Sequence, residues 1–423
     1  MHLSQDAALR AYLLDCLASP VGTLPVAPVL GAEAWRAWLK LVTMHRVGPL
    51  LHWKQSQAGD PGWPDFLSQA LAAVRRTHAL RAMQMQRELL HAHRLLTAAG
   101  IPCMALKGAF LAWHAYPGPD LRPVRDLDLL VPADQALRAY AVLRAGGYQQ
   151  LSGVHGELDV ILETSKHLPG LRRPGSGVTL ELHAQLFHPD ENGGQAHELS
   201  RLPGFWERAM RCELAGELIR YPAPTDQLLH LLVHAVADHK LNNGPLIFTD
   251  IHYLLKAHDI DWPLFWRQAD RLRQLPAVAL GLCLAEHHGG DLGIGWPAQR
   301  PALPDGALLD ALRLFSLRDF DARKDILVTQ HFQGGWLHWL SWLRRKVLPD
   351  PRSLASRYPT GNRLWTLPYW YGRSWLDGLR RLAGILRGRH KVAIRNELDT
   401  LQQLDSWLLR AAAAPARPDP GRS

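Results

Sequence analysis

Arg122-Pro-Val-Arg125-Asp126-Leu127-Asp128-Leu129-Leu130-Val131-Pro132 decides how this chain is read. Its apolar centre suits a strand packed on at least one side. Side chains on a strand alternate between faces, so Asp126 and Asp128 project the same way. Two carboxylates held that close repel each other unless a cation or a shared proton stands between them. A strand end carrying such a pair is therefore either a divalent-metal site of oxygen ligands or a solvated end with two ordinary surface aspartates. Spacing alone leaves both open.

The flanking segments favour the metal reading. Upstream, Ile101-Pro-Cys-Met-Ala-Leu-Lys107-Gly108 reads as a short apolar strand that runs into a helix at Gly108. A glycine at such a turn lets backbone N–H groups approach an anion, and Lys107 adds a mobile cation. Downstream, Gly177-Val-Thr-Leu-Glu181-Leu-His183 alternates with period two, which places Thr179, Glu181 and His183 on one face. A third carboxylate from a neighbouring strand would complete a two-metal site for phosphoryl transfer.

Six short motifs fall in order: Leu106-Lys107-Gly108, Arg122 ahead of the first aspartate, Asp126-Leu-Asp128-Leu-Leu-Val, Gly146-Gly-Tyr148, Lys166-His167-Leu-Pro169 and Leu180-Glu181-Leu-His183. Together they resemble the uncharacterised bacterial nucleotidyltransferase family of the DNA polymerase β-like superfold, over roughly residues 35 to 290. The resemblance implies a minimal nucleotidyltransferase core with Asp126, Asp128 and Glu181 as a triad that holds Mg²⁺ and does the catalysis. An NTP would then be the donor, with Lys107, Gly108, Arg122, His167 and His183 at the nucleotide, Arg122 either stabilising charge or bracing the metal strand and the two histidines either contacting phosphate or orienting a metal-bound carboxylate. It also implies a helix rich in His-x-x-x-His and an aspartate matching Asp250 in a second domain, with His234 and Asp250 at the substrate. The chain departs from the superfold at the phosphate loop, where Lys107-Gly108 replaces Gly-Ser. That departure keeps open a second reading, a nucleotide-binding or toxin-like regulatory module with little turnover.

The expected fold is α+β, a small mixed sheet flanked by helical regions on both sides. Residues 1–100 read as an N-terminal helical region that packs on the core without contributing chemistry. Its longest pattern runs from Asp65 to Ala98, and Gly48-Pro49 limits the helix before it. Residues 101–200 carry the core, with strands expected at 101–106, 126–131, 157–163, 166–169 and 178–186. The Gly- and Pro-rich connection at 168–177 reads as mobile, with Arg172 and Arg173 either near a triphosphate or simply an exposed basic turn. Residues 201–330 read as a helical acceptor-side domain. Residues 331–410 form a basic, Trp-rich helical region, and 411–423 a disordered Ala/Pro/Arg-rich tail.

The chain has 423 residues, 47% apolar and 21% charged, which is ordinary for a soluble globular protein of two or three domains. Its start lacks a basic segment followed by an apolar block, and no apolar run is long enough to span a bilayer. The four cysteines show no C-x-x-C pair, so free thiols in a reducing cytoplasm are expected. The net charge of +9 is uneven: residues 336–395 hold thirteen Lys or Arg against two Asp, and six of the sixteen tryptophans. Basic plus aromatic suits a membrane surface or, less well, a nucleic acid. A helical cap with solvated arginines explains it too. With no modular RNA-binding motif, the acceptor is expected to be a small molecule or a protein.

Twenty-two histidines invite a metal reading. His230 and His234 stand at i, i+4, but the zinc-protease pattern needs Glu where Leu231 stands. Histidines that line a cleft or bond locally account for them equally well.

Overall fold

The computed structural model describes residues 2–151, 156–187, 198–301, 303–317, 351–355, 358, 366–386 and 393–413. Four helices open the chain: α1 (His2–Ala18), α2 (Ala32–Met44), α3 (Gly48–Ala58) and α4 (Asp65–Ala98). The break between α2 and α3 lies at residues 45–47. Pro49 sits in the first turn of α3, where a missing N–H breaks no helical hydrogen bond. Gly48-Pro49 therefore starts a helix instead of ending one. Helix α4 has the expected bounds, and Gly100 follows it with φ +68°.

The core contains β1 (Met104–Ala105), α5 (Gly108–His114), β2 (Asp126–Leu130), α6 (Ala136–Ala145), β3 (Gln149–Gln150), α7 (Leu158–Thr164), β4 (Leu171–Arg172) and β5 (Thr179–His183). The five strands form one mixed sheet in the order β1-β2-β5-β4-β3. Only β2 and β5 are parallel. Leu127, Leu129, Leu180 and Leu182 are buried on this pair. Helix α4 packs against β2, α6 against β5, and α5 against β2.

Three expectations are corrected here. Residues 158–164 form a helix, not a strand: Leu158, Ile161 and Leu162 fall at helical spacing, and seven residues are too few for periodicity to decide. Residues 166–169 contribute only a bridge, His167 to His183. The connection at 168–177 carries β4, whose Leu171 is fully buried.

The following stretch is not helical throughout either. It begins with a hairpin, β6 (Met210–Leu214) and β7 (Glu217–Tyr221). The two-residue turn places Ala215 and Gly216 at positive φ, as a tight hairpin requires, but without the Asn-Gly signature that would have announced it. Then come α8 (Pro224–Val233), a π-helical turn (His234–Asp238), α9 (Leu246–Ala257), α10 (Trp262–Arg271), α11 (Leu275–Gly289) and α12 (Gly306–Phe315). Asp261 caps α10 by accepting from the Leu264 N–H at 2.9 Å. Further on lie α13 (Pro351–Ala355), α14 (Leu367–Leu386) and α15 (Ala393–Ala413). The tryptophan-rich stretch 336–346 and residues 414–423 lie outside the described residues, so the readings placed on them stay where the sequence left them. No helix among the described residues is long and apolar enough to cross a membrane.

One contiguous buried cluster joins these parts, from Leu9 on α1 through the sheet to Leu404 on α15. Helix α5 touches both β2 and α9, so the sheet edge and the later helices close on each other. The space they leave is the site.

Candidate active site

The register of β2 and β5 assembles the site. Asp126 lies beside Thr179, Asp128 beside Glu181, and Leu130 beside His183. Adjacent residues in a sheet share a face, so Asp126, Asp128, Glu181 and His183 all project to the side opposite Leu127, Leu129, Leu180 and Leu182. The burial of those leucines fixes this choice, because slipping the register by one residue would turn the carboxylates into the core.

Asp128 and His183 are buried, whereas Asp126 and Glu181 are half-buried. His183 Nε2 lies 2.8 Å from Asp128 Oδ1. A carboxylate only accepts, so Nε2–H donates. Lys107 Nζ stands 3.2 Å from Asp128 Oδ2. Burial pushes the Asp128 carboxyl up, but Lys107 and then His183 outweigh it and hold the group well below the usual carboxylate range. Burial lowers His183 to about 4 despite Asp128, so at neutral pH the ring is an uncharged donor. Asp126 and Glu181 are both raised, by burial first and then by the charge on Asp128. Together these directions describe a carboxylate cluster in which Lys107 compensates Asp128 directly, with Arg125 and Arg46 acting on Asp126 from further off.

The donor set fits a hard cation. Asp126, Asp128 and Glu181 offer oxygen ligands on one face. Atoms of Asp128, Glu181 and His183 all lie within 4.8 Å of one another, the one group among the described residues with metal-binding proximity. His167 adds a further sign. Its Nδ1 lies 2.9 Å from the Leu168 carbonyl, so Nδ1–H donates there. In a neutral ring Nε2 then carries a lone pair, and it faces Glu181 Oε2 at 3.7 Å. Two acceptors turned toward each other are satisfied by a cation or a proton between them.

Arg122 lines the cleft and braces the metal strand. Its Nε and Nη2 donate to the two oxygens of Asp250 on α9 at 3.0 and 2.8 Å. Tyr116 Oη donates to Asp250 Oδ1 at 2.7 Å. Burial disfavours the guanidinium charge, but Asp250 more than restores it, and the pKa is raised. The pair ties the approach to β2 onto α9. It also accounts for Gly108, since a Cβ there would overlap Arg122 Nη1. A braced arginine lies over Gly108 and leaves little room for a Cβ. Lys107, just before it, has φ +46° without being glycine, a strained conformation of the kind that persists when surroundings over-determine it.

The cleft has a volume of about 360 Å³ and is lined by the carboxylates, Lys107, Lys166, His167 and, from the far wall, His234 and Asp250. That volume falls within the usual range for a small-molecule site. Arg172 and Arg173 do not line it. Arg173 is held by the buried Glu88 of α4, and Arg172 donates to Thr179 Oγ1 at 2.9 Å. The far wall is built from α9 and the π-helical turn after α8, the latter a feature often found at functional sites. There His234 Nε2 lies 3.0 Å from His239 Nε2, its Nδ1 lies 3.2 Å from Asn243, and Lys166 donates to Asp238 at 3.1 Å. His230 and His234 join no metal-binding group among the described residues. Sequence reasoning passed over Lys166, although it lies in the Lys-His-Leu-Pro motif, and Arg46.

A family model described as uncharacterised nucleotidyltransferase matches residues 31–290, more than half of the chain. The chain belongs to this nucleotidyltransferase family. The match begins just before α2 and ends just after α11, so it contains the whole sheet, the cleft and both of its walls. No curated protein matches the chain.

Proposed function

We propose that this nucleotidyltransferase moves a nucleoside monophosphate from an NTP to a hydroxyl of a small-molecule or protein acceptor, using Mg²⁺. The observation that carries the reading is the in-register placement of Asp126, Asp128 and Glu181 on one sheet face inside a cleft. The acceptor oxygen forms a bond to the α-phosphorus, the bond from that phosphorus to the bridging oxygen breaks, and pyrophosphate leaves. Mg²⁺ bound by the three carboxylates would neutralise the triphosphate and lower the pKa of the acceptor hydroxyl. The protein contributes position. His183 fixes the rotamer of Asp128, and the Arg122–Asp250 pair holds β2 against α9. Lys107 occupies Asp128 in the free protein and is placed to move to phosphate when that carboxylate takes a metal. The four cysteines are free, which suits a cytoplasmic setting.

One observation favours a second reading, nucleotide binding with little turnover: both oxygens of Asp128 already have partners in His183 and Lys107. Purified protein incubated with Mg²⁺, cell extract and each of ATP, CTP, GTP and UTP separates the two. Pyrophosphate release that disappears in Asp126→Ala at unchanged melting temperature supports transfer. Mg²⁺-dependent NTP binding with no release from any NTP supports the second reading.

A further inference from the structure

Five lysines and arginines line the cleft, and three of them hold carboxylates: Lys107 holds Asp128, Arg122 holds Asp250 and Lys166 holds Asp238. The other two, Arg46 and Arg125, make no side-chain hydrogen bond or ion pair among the described residues. Arg125 is exposed at the mouth, directly before Asp126. Arg46 comes from the N-terminal helical region and is only partly exposed. Burial first, then the neighbouring charges of Arg125 and Arg122, pull its guanidinium down to about 10, more than Asp126 and Asp250 restore.

The backbone makes Arg46 still less expected. Helix α2 ends in a Schellman motif: the Val47 N–H donates to the Val42 carbonyl at 3.2 Å and the Arg46 N–H to the Thr43 carbonyl at 3.1 Å. Arg46 is the left-handed residue of that motif, at φ +59°. Glycine is the usual occupant, because a Cβ is unfavourable there. The chain instead places a long cation at that position and turns it into the cleft. The φ disfavours a side chain there, and no hydrogen bond or ion pair holds the guanidinium among the described residues, although Asp126 and Asp250 attract it.

We propose that Arg46 and Arg125 form a phosphate subsite at the Asp126 end of the cleft, taking the terminal phosphates of the bound nucleotide. The inference rests on the transfer reading above for the identity of the donor. Two planar guanidinium forks match phosphate oxygens in geometry as well as charge. A triphosphate is a dense enough anion to satisfy two cations that Asp126 and Asp250 attract but no side chain among the described residues binds directly. The N-terminal helices thereby become part of the site. A phosphorylated acceptor offers the same chemistry, and the test distinguishes the two sources.

The test uses the full chain and its Arg46→Gly, Arg46→Lys and Arg125→Ala variants. Binding of inorganic pyrophosphate and of tripolyphosphate, with and without Mg²⁺, is measured by calorimetry, alongside melting temperature. Arg46→Gly restores the residue its backbone prefers, so it is expected to melt no lower than wild type while losing about tenfold or more in tripolyphosphate affinity. Arg46→Lys keeps charge without the fork and should fall between. In transfer assays the NTP KM rises and the acceptor KM does not. The proposal is overturned if wild type binds neither probe, if Arg46→Gly binds both normally, if its melting temperature collapses with binding, or if only the acceptor KM moves. Wild type that binds tripolyphosphate through Arg46 yet transfers nothing leaves the subsite standing and removes the transfer reading.

Discussion

Replacing Asp250 with alanine isolates the brace between β2 and α9. The substitution removes two charge-assisted hydrogen bonds from Arg122 and one from Tyr116. It also leaves the guanidinium, whose side chain is only 14% exposed, without its counter-ion. Breaking a buried pair by removing one partner destabilises a protein by about 3–5 kcal/mol, much of it from the charge left behind. For a unit the size of the family match, residues 31–290, that corresponds to a fall in melting temperature on the order of 10 °C. Removing both partners, as Arg122→Met with Asp250→Ala, eliminates the stranded charge. The double variant should therefore be more stable than the sum of the single effects by about 2 kcal/mol. Urea denaturation of the four proteins, with m-values compared, gives the cycle. Suppose instead that Asp250→Ala stays within about 1 kcal/mol of wild type and the KM for NTP or acceptor rises sharply. Asp250 is then a substrate contact, as the family resemblance implied, and the bracing argument is wrong.

Three further outcomes follow from the geometry. Glu181→Gln should leave nucleotide affinity nearly intact and lower transfer by about 100-fold, since it acts mainly in the transition state; unchanged turnover would remove Glu181 from the triad. Lys107→Ala should weaken NTP binding more than NMP binding, by a margin that shrinks as salt rises, while equal weakening would place Lys107 at the sugar or α-phosphate. His288 is pushed down to about 3 by burial first and then by nearby cations, and it packs on Phe248 with ring centroids 4.8 Å apart. The unfolded chain binds a proton there as pH falls through about 6.5 while the folded protein does not, so stability is lost on acidification, by about 2 kcal/mol between pH 7 and 5. His288→Leu should flatten that limb in urea titrations at the two pH values, and an unaltered pH dependence would exclude His288 as its source.

The site strands were legible because a two-residue period and a run of leucines act locally. Asp126, Asp128, Glu181 and His183 could be placed on their face from the sequence, and the parallel register of β2 with β5 brings them side by side. What was not legible acts at a distance. Nothing near Arg122 announces Asp250, 128 residues away, and nothing near Arg173 announces Glu88. Nothing near Gly108 announces Arg122, which lies against it in space. Short segments misled for lack of length: Leu158–Thr164 fits either period, and the β6–β7 hairpin turns on Ala215-Gly216. Arg46 was missed because a helix end without glycine reads as no end at all, and Gly48-Pro49 nearby drew the boundary instead.

The most direct measurement uses NTP labelled separately at the α- and γ-phosphates, with Mg²⁺, cell extract, and wild-type, Asp128→Asn or Glu181→Gln protein. The account predicts that α-label enters an acceptor, γ-label appears only in pyrophosphate, and both signals vanish without Mg²⁺ and in Asp128→Asn. Transfer of the γ-label to an acceptor, or α-label transfer that survives in Asp128→Asn, would contradict it.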